Sequence, residues 1–139
     1  MISALDTSVI LDVLVGNNDF SDASARLIRI ARSEGRLIFC ECVLAEILPA
    51  LTNQEQVLEF MLDWHIHFVP QSQESALLAG KRFGEYLQRG GVQRHVLPDF
   101  LIGAHAKIHA DRLVARDRGY LRDYFTDLVV LDPSLRRQG

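Results

Sequence analysis

Five short apolar runs, each parted from the next by stretches of helical periodicity, restrict this chain more than any other feature. The first starts at Met1 and stops on Asp6. The others are Arg36 to Cys40, His65 to Val69, Arg112 to Ala115 and Leu128 to Leu131. Between them, Ser8 to about Val15 reads as a short helix closed by Gly16-Asn17-Asn18. Ser21 or Asp22 caps a second, in which Ala23, Leu27, Ile30 and Ala31 recur at helical spacing while Arg26, Arg29 and Arg32 face away, up to Gly35. Helical spacing resumes from Cys42, is interrupted by Pro49, and continues from Gln54 to Asp63. A long helix runs from Ser72 to about Gln88, with Ala76, Leu77, Ala79, Phe83 and Leu87 available for its apolar face. Pro98 then opens Asp99 to His109, and Tyr120 to Phe125 is a short last helix. Apolar strands alternating with helices predict an α/β fold: about five parallel strands with helices on both faces, in a single doubly wound domain over residues 1–139.

Composition agrees with an ordinary globular chain. Of 139 residues 48% are hydrophobic and 24% charged, so disorder is not expected. The net charge of −3 argues against a protein that coats nucleic acid by bulk charge, so any such contact is local. The first residues lack a basic stretch and their apolar run is interrupted by Asp6 and Asp12, which predicts a soluble, cytoplasmic protein. Cys40 and Cys42 are too few and too close for a thiolate zinc site and read as free thiols. Lysine is rare, only Lys81 and Lys107 among 15 basic residues. The clusters Arg116, Arg118, Arg122 and Arg136, Arg137 suit a solvated face, or the bidentate phosphate contacts that arginine makes well.

Four acids stand where this topology would bring them together. Asp6 follows the first strand and Asp117 the fourth, both at carboxyl ends, the edge where open α/β sheets bind ligands. If those strands are neighbours, the two acids share a crevice. Glu46 lies on the rim of an apolar stripe, beside Val43, Ile47 and Ala50, where it would be partly desolvated and want a cationic partner. Asp99 occupies the first turn after Pro98. Singly, each has an ordinary reading: Asp6 as a cap, Glu46 as a boundary residue, Asp99 as a first-turn acid, Asp117 as a turn former. Jointly, mutually repelling carboxylates ask for a hard divalent cation, Mg²⁺ or Mn²⁺, whose bound water is the reagent of phosphodiester hydrolysis.

The runs Leu5-Asp6-Thr7-Ser8-Val9-Ile10-Leu11, Val43-Leu44-Ala45-Glu46-Ile47, Leu97-Pro98-Asp99-Phe100-Leu101-Ile102-Gly103-Ala104 and Val114-Ala115-Arg116-Asp117-Arg118-Gly119-Tyr120 resemble the acidic motifs of PIN-domain ribonucleases, most closely the VapC toxins of prokaryotic toxin–antitoxin pairs. The resemblance spans nearly the whole length. It implies a Mg²⁺- or Mn²⁺-dependent endoribonuclease that cuts RNA, is inhibited by a cognate antitoxin and is usually a homodimer. Asp6, Glu46, Asp99 and Asp117 would be the catalytic, metal-holding acids and Ser8 their supporting hydroxyl, with Arg116 and Arg118 as candidate RNA or antitoxin contacts. One departure is Ala115, where many members carry a threonine that would orient Asp117 or a metal-bound water. The rival reading is a PIN-like scaffold that binds a protein or RNA without cutting. Other classes fit less well: His105 and His109 lack the glutamate of a His-Glu-x-x-His zinc helix, Ser8 breaks an Asp-x-Asp phosphatase motif, and no lysine follows Lys107 as a receiver domain requires.

Overall fold

The computed structural model describes residues 1–16 and 18–135; Arg136 and Arg137 lie outside the described residues. Five strands, β1 (Ile2–Leu5), β2 (Arg36–Phe39), β3 (Ile66–Phe68), β4 (Arg112–Val114) and β5 (Val130–Leu131), form one parallel sheet in the order β3-β2-β1-β4-β5. On the central strand β1, Ala4 is level with Ile38 on one side and Leu113 on the other. The chain builds outward from β1 in both directions, so β1 and β4 are the neighbours that the acidic pattern required. Successive strand residues point to opposite faces, and Ser3, Ala4 and Leu5 are all at most 1% exposed. Both faces of the sheet are therefore covered at its centre, while the edge strand β3 leaves His67 and Phe68 exposed.

Seven α-helices surround it among the described residues: α1 (Thr7–Val15), α2 (Ser21–Glu34), α3 (Glu41–Ile47), α4 (Gln54–Trp64), α5 (Gln73–Gln88), α6 (Leu97–His109) and α7 (Tyr120–Tyr124). None is long and apolar enough to cross a membrane. Most boundaries fall within a residue or two of those predicted, and the exceptions have local causes. α6 begins at Leu97, not Asp99, because a single 3-10 turn, Arg94–Val96, leads into it; Pro98 then sits in the first turn, where a missing N–H costs no helical bond. β5 is only two residues long, limited to the pairs Val130 with Leu113 and Leu131 with Val114. In α5, Leu77 is 66% exposed rather than inward. The reciprocal Ser72–Ser75 capping box turns Ser75 into the protein, and Leu77, two residues on, falls on the opposite side.

α6 is held by aromatic packing around the fully buried Phe100, whose ring centre lies 5.5 Å from Phe83 on α5 and 5.3 Å from Tyr124 on α7. Gly103 permits the approach of α7: a Cβ there would lie 2.8 Å from the Phe125 ring. The helix that presents Asp99 is thereby pressed against the helix that follows Asp117.

Candidate functional site

The crevice begins where β1 ends. The N–H of Asp6 donates to the carbonyl of Val114, 3.0 Å away, which pins this residue between β1 and β4 at the carboxyl edge. Asp6 is the N-cap of α1, accepting from the Ser8 N–H at 3.2 Å, and the Ser8 hydroxyl donates to the same oxygen, Oδ2. Among the described residues Oδ1 accepts no hydrogen bond. Burial pushes the Asp6 carboxyl up to about 6, opposed by the two Ser8 hydrogen bonds and assisted by the negative charges of Asp99 and Glu46.

Asp99, in the first turn of α6, is also held above the usual carboxylate range by burial, with the charges of Glu46 and Asp117 adding to it. Arg118 opposes that shift through an ion pair of 2.5 Å; the arginine side chain is 65% exposed and that of Asp99 20%. Asp117 follows β4 and turns to meet the start of α7. Its Oδ1 accepts from Gly119 and Leu121 at 2.8 and 3.1 Å, and its Oδ2 from the Arg122 N–H at 2.9 Å. Gly119 makes this possible with φ 104°, a left-handed angle natural to glycine. Asp6, Asp99, Asp117 and Glu46 line one open crevice of about 390 Å³, together with Ser8, Arg116 and Arg118.

The four predicted acids thus share one crevice, but they are not equivalent. Glu46 is exposed and bound by the Thr7 hydroxyl at 2.7 Å, so the expected partly desolvated glutamate seeking a cation is corrected to an exposed one with a neutral partner. The charge of Glu46 also acts on Cys42, whose thiol is pushed up to about 12 by burial first and by that charge second. Both cysteines are free thiols. Ala115 is fully buried, and the orientation for which a threonine seemed necessary comes from elsewhere: the N–H groups of α7 hold the Asp117 carboxylate, and Asp132 accepts its backbone N–H at 3.0 Å.

Arg116 and Arg118, taken together from the sequence, diverge. Arg118 reaches Asp99. Arg116 turns inward onto Asp12, an acid the sequence reading passed over, with Nε 3.0 Å from Oδ2 and Nη2 2.9 Å from Oδ1. Asp12 is 1% exposed and also accepts from Ser24 and Asn18. Its signal was present: an aspartate between Leu11 and Val13 on a helix otherwise free of charge. Ser24 was hidden in the same way, occupying the buried stripe of α2 beside Leu27, Ile28 and Ala31.

The donor set at the crevice is all oxygen, the chemistry that suits Mg²⁺ or Mn²⁺ over softer ions. Among the described residues no group of three or more histidines, cysteines, aspartates or glutamates is drawn together closely enough to hold a metal ion. The side chain now neutralising Asp99 is Arg118.

Solved structures share this fold over almost the entire chain. VapBC2 from Rickettsia felis, bound to a DNA fragment from its promoter, superposes with a TM-score of 0.71 at 19% identity, covering 95% of this chain and 98% of that one. VapBC-1 from nontypeable Haemophilus influenzae gives 0.70 at 20% identity over 97% and 100%, and FitAcB from Neisseria gonorrhoeae gives 0.68 at 22% over 96% and 98%. No curated protein matches the sequence. The PIN domain family matches residues 4–124, from the strand that delivers Asp6 to the end of the helix capped by Asp117, and the chain belongs to that family.

Proposed function

We propose that this protein is a divalent-metal-dependent endoribonuclease, the toxin of a toxin–antitoxin pair. PIN domains are generally nucleases. The observation that carries the finer reading is the pair Asp6 and Asp99: two recessed carboxylates raised by burial, facing one crevice at the switch point of the sheet, one with an oxygen that accepts nothing among the described residues. Such an arrangement is electrostatically poor until a cation completes it.

Asp6 and Asp99 would hold Mg²⁺ or Mn²⁺, with Glu46 and Asp117 completing the acidic set. An ion bound there lowers the pKa of a coordinated water and neutralises phosphate charge. Ser8 keeps Asp6 oriented. Arg118, mostly exposed and paired with Asp99, would be free to offer its guanidinium to an RNA phosphate if Asp99 held the ion. Product ends should then be 5′-phosphate and 3′-hydroxyl, from attack by water with the 3′-oxygen as leaving group, rather than the 2′,3′-cyclic phosphate that attack by the internal 2′-hydroxyl would leave.

The VapBC and FitAcB neighbours support a cognate antitoxin partner; we propose that it presents a helix and a basic side chain to the acids, much as Arg118 sits on Asp99. We further propose a cytoplasmic homodimer or toxin–antitoxin hetero-oligomer in which residues 1–139 act as one nuclease domain. A second reading, a scaffold that binds without cutting, is favoured by one observation: Asp117 is occupied by α7 and no metal-holding group is assembled among the described residues.

Cleavage of structured RNA by the purified protein separates the two. The nuclease reading expects cutting with Mg²⁺ or Mn²⁺, none with EDTA, and a loss of about 100-fold or more in Asp99→Asn, the scale of removing a group that stabilises transition-state charge. Full cleavage by Asp99→Asn sinks it, and so does an inert wild-type protein. Growth arrest on expression, rescued by the neighbouring reading frame, tests the toxin assignment.

A further inference from the structure

We infer that Arg116 is a positioning residue for Asp6, held in place by Asp12; the inference rests on the metal-dependent nuclease reading. The backbone N–H of Arg116 donates to the Ser8 hydroxyl oxygen at 3.1 Å. A serine hydroxyl has one hydrogen. With an N–H approaching one lone pair, that hydrogen is directed to Asp6 Oδ2, and Oδ1 stays open to the crevice. Arg116, through the Ser8 hydroxyl, therefore reinforces the Ser8 N–H in holding Oδ2 and leaving Oδ1 free.

The direction of the Arg116 N–H is not set by the sheet alone. The last sheet-type bond on this strand runs from the Ala115 N–H to Leu131, one residue earlier. Beyond it the backbone is held on one side by the Asp117 N–H on Asp132 and at Arg116 itself by the side chain, gripped at two points by Asp12. Asp12 is itself immobilised by the Ser24 hydroxyl at 2.7 Å and the Asn18 amide at 3.0 Å. Phe20 closes the outer side, its ring centre 4.6 Å from the guanidinium carbon. A cluster centred on the buried, fully matched Asp12 carboxylate between α1 and α2 thus aims a hydroxyl at the neighbouring acidic crevice.

The test compares wild type, Asp12→Asn, Arg116→Lys, Ser8→Ala and the Ser8→Ala/Arg116→Lys double variant. It uses residue-resolved amide hydrogen exchange on metal-free protein and Mn²⁺ binding by electron paramagnetic resonance. Loosening the anchor should cut protection at the Arg116 amide by about tenfold while Leu113 and Val114 keep theirs, a local opening rather than global unfolding. Mn²⁺ affinity should fall about 3- to 10-fold in Asp12→Asn, Arg116→Lys and Ser8→Ala, and the double variant should bind no worse than Ser8→Ala, the non-additivity expected of groups acting in one chain. Unchanged Arg116 protection overturns the inference, as do independent, multiplying effects on Mn²⁺. If Asp12→Asn does not fold, Arg116→Lys alone decides. A wild-type protein that binds no Mn²⁺ and cuts no RNA overturns the nuclease reading, while the exchange data still show whether Asp12 and Arg116 aim Ser8.

Discussion

Asp6 and Asp12 belong to the same short helix, one capping it and the other inside it, and the fold treats them in opposite ways. Asp12 accepts four hydrogen bonds, from Ser24, Asn18 and both arms of the Arg116 fork, so each of its oxygens is matched twice. Among the described residues Asp6 accepts two, both from Ser8 and both on Oδ2. Buried polar groups are normally satisfied, and one left partly unmatched calls for an explanation. Asp12 is matched by the protein and serves the protein. Asp6, raised to about 6 by burial with the charges of Asp99 and Glu46 beside it, is poised for something from outside.

Removing the matched acid should have the largest effect on stability. Asp12→Ala strands the Arg116 guanidinium together with the Ser24 hydroxyl and the Asn18 amide. Breaking a buried pair by deleting one partner costs about 3–5 kcal/mol; because the Arg116 side chain is 33% exposed and can rehydrate, about 2–3 kcal/mol is expected here. Urea unfolding followed by circular dichroism measures it. A loss below roughly 0.5 kcal/mol, the size of an ordinary surface substitution, would erase the contrast between the two acids.

Removing the unmatched acid should do the reverse. Asparagine is as good an N-cap as aspartate, so α1 is preserved. The sign follows from the raised carboxyl. Below about pH 4 Asp6 is protonated in folded and unfolded chains alike and costs nothing; above its folded value of about 6 the native state carries an ionised, desolvated carboxylate at full penalty. Asp6→Asn is therefore expected to stabilise the metal-free protein at pH 8 by on the order of 1–2 kcal/mol, a gain that disappears as pH falls to 4, while abolishing RNA cleavage. A variant less stable than wild type at pH 8 would show that the charge of Asp6 is already compensated within the fold.

The contrast also explains what could be read from the chain beforehand. The parallel sheet followed from apolar runs alternating with helices, and the condition that β1 lie beside β4 is met by the observed order, which brings Asp6 and Asp117 to one edge, because the α/β class is a long-range consequence of a simple pattern. Side-chain partnership is not. Nothing in the spacing of Asp12, Ser24 and Arg116 announces that α1, α2 and the end of β4 meet there, and a serine within an apolar stripe reads as a neutral surface residue until its acceptor is known. Arg116 and Arg118 looked alike because, two residues apart, they would share a face on a continued strand; the strand ends at Val114 and the chain turns through Asp117 to Gly119, so the two side chains part. Glu46 was misjudged for a related reason: helical phase places it at a rim, but the Thr7 hydroxyl that satisfies it comes from another helix.

The smallest effect, and the one that bears most directly on the crevice, concerns Arg118. Its pair with Asp99 is half solvated, so the bond should be worth no more than about 1 kcal/mol. If the guanidinium stands where a divalent cation would otherwise reach Asp99, Arg118→Ala should bind Mn²⁺ more tightly, by up to about fivefold, the factor such an energy allows. The same variant should cleave RNA with a higher KM, having lost a phosphate contact. Opposite movements of metal affinity and substrate affinity would separate a cation-exchange role from a purely structural one, since a structural lesion weakens both. If Mn²⁺ binding weakens with the arginine gone, Arg118 supports the acidic site rather than competing for it, and Asp99 moves to the side of Asp12 as an acid matched by its own protein.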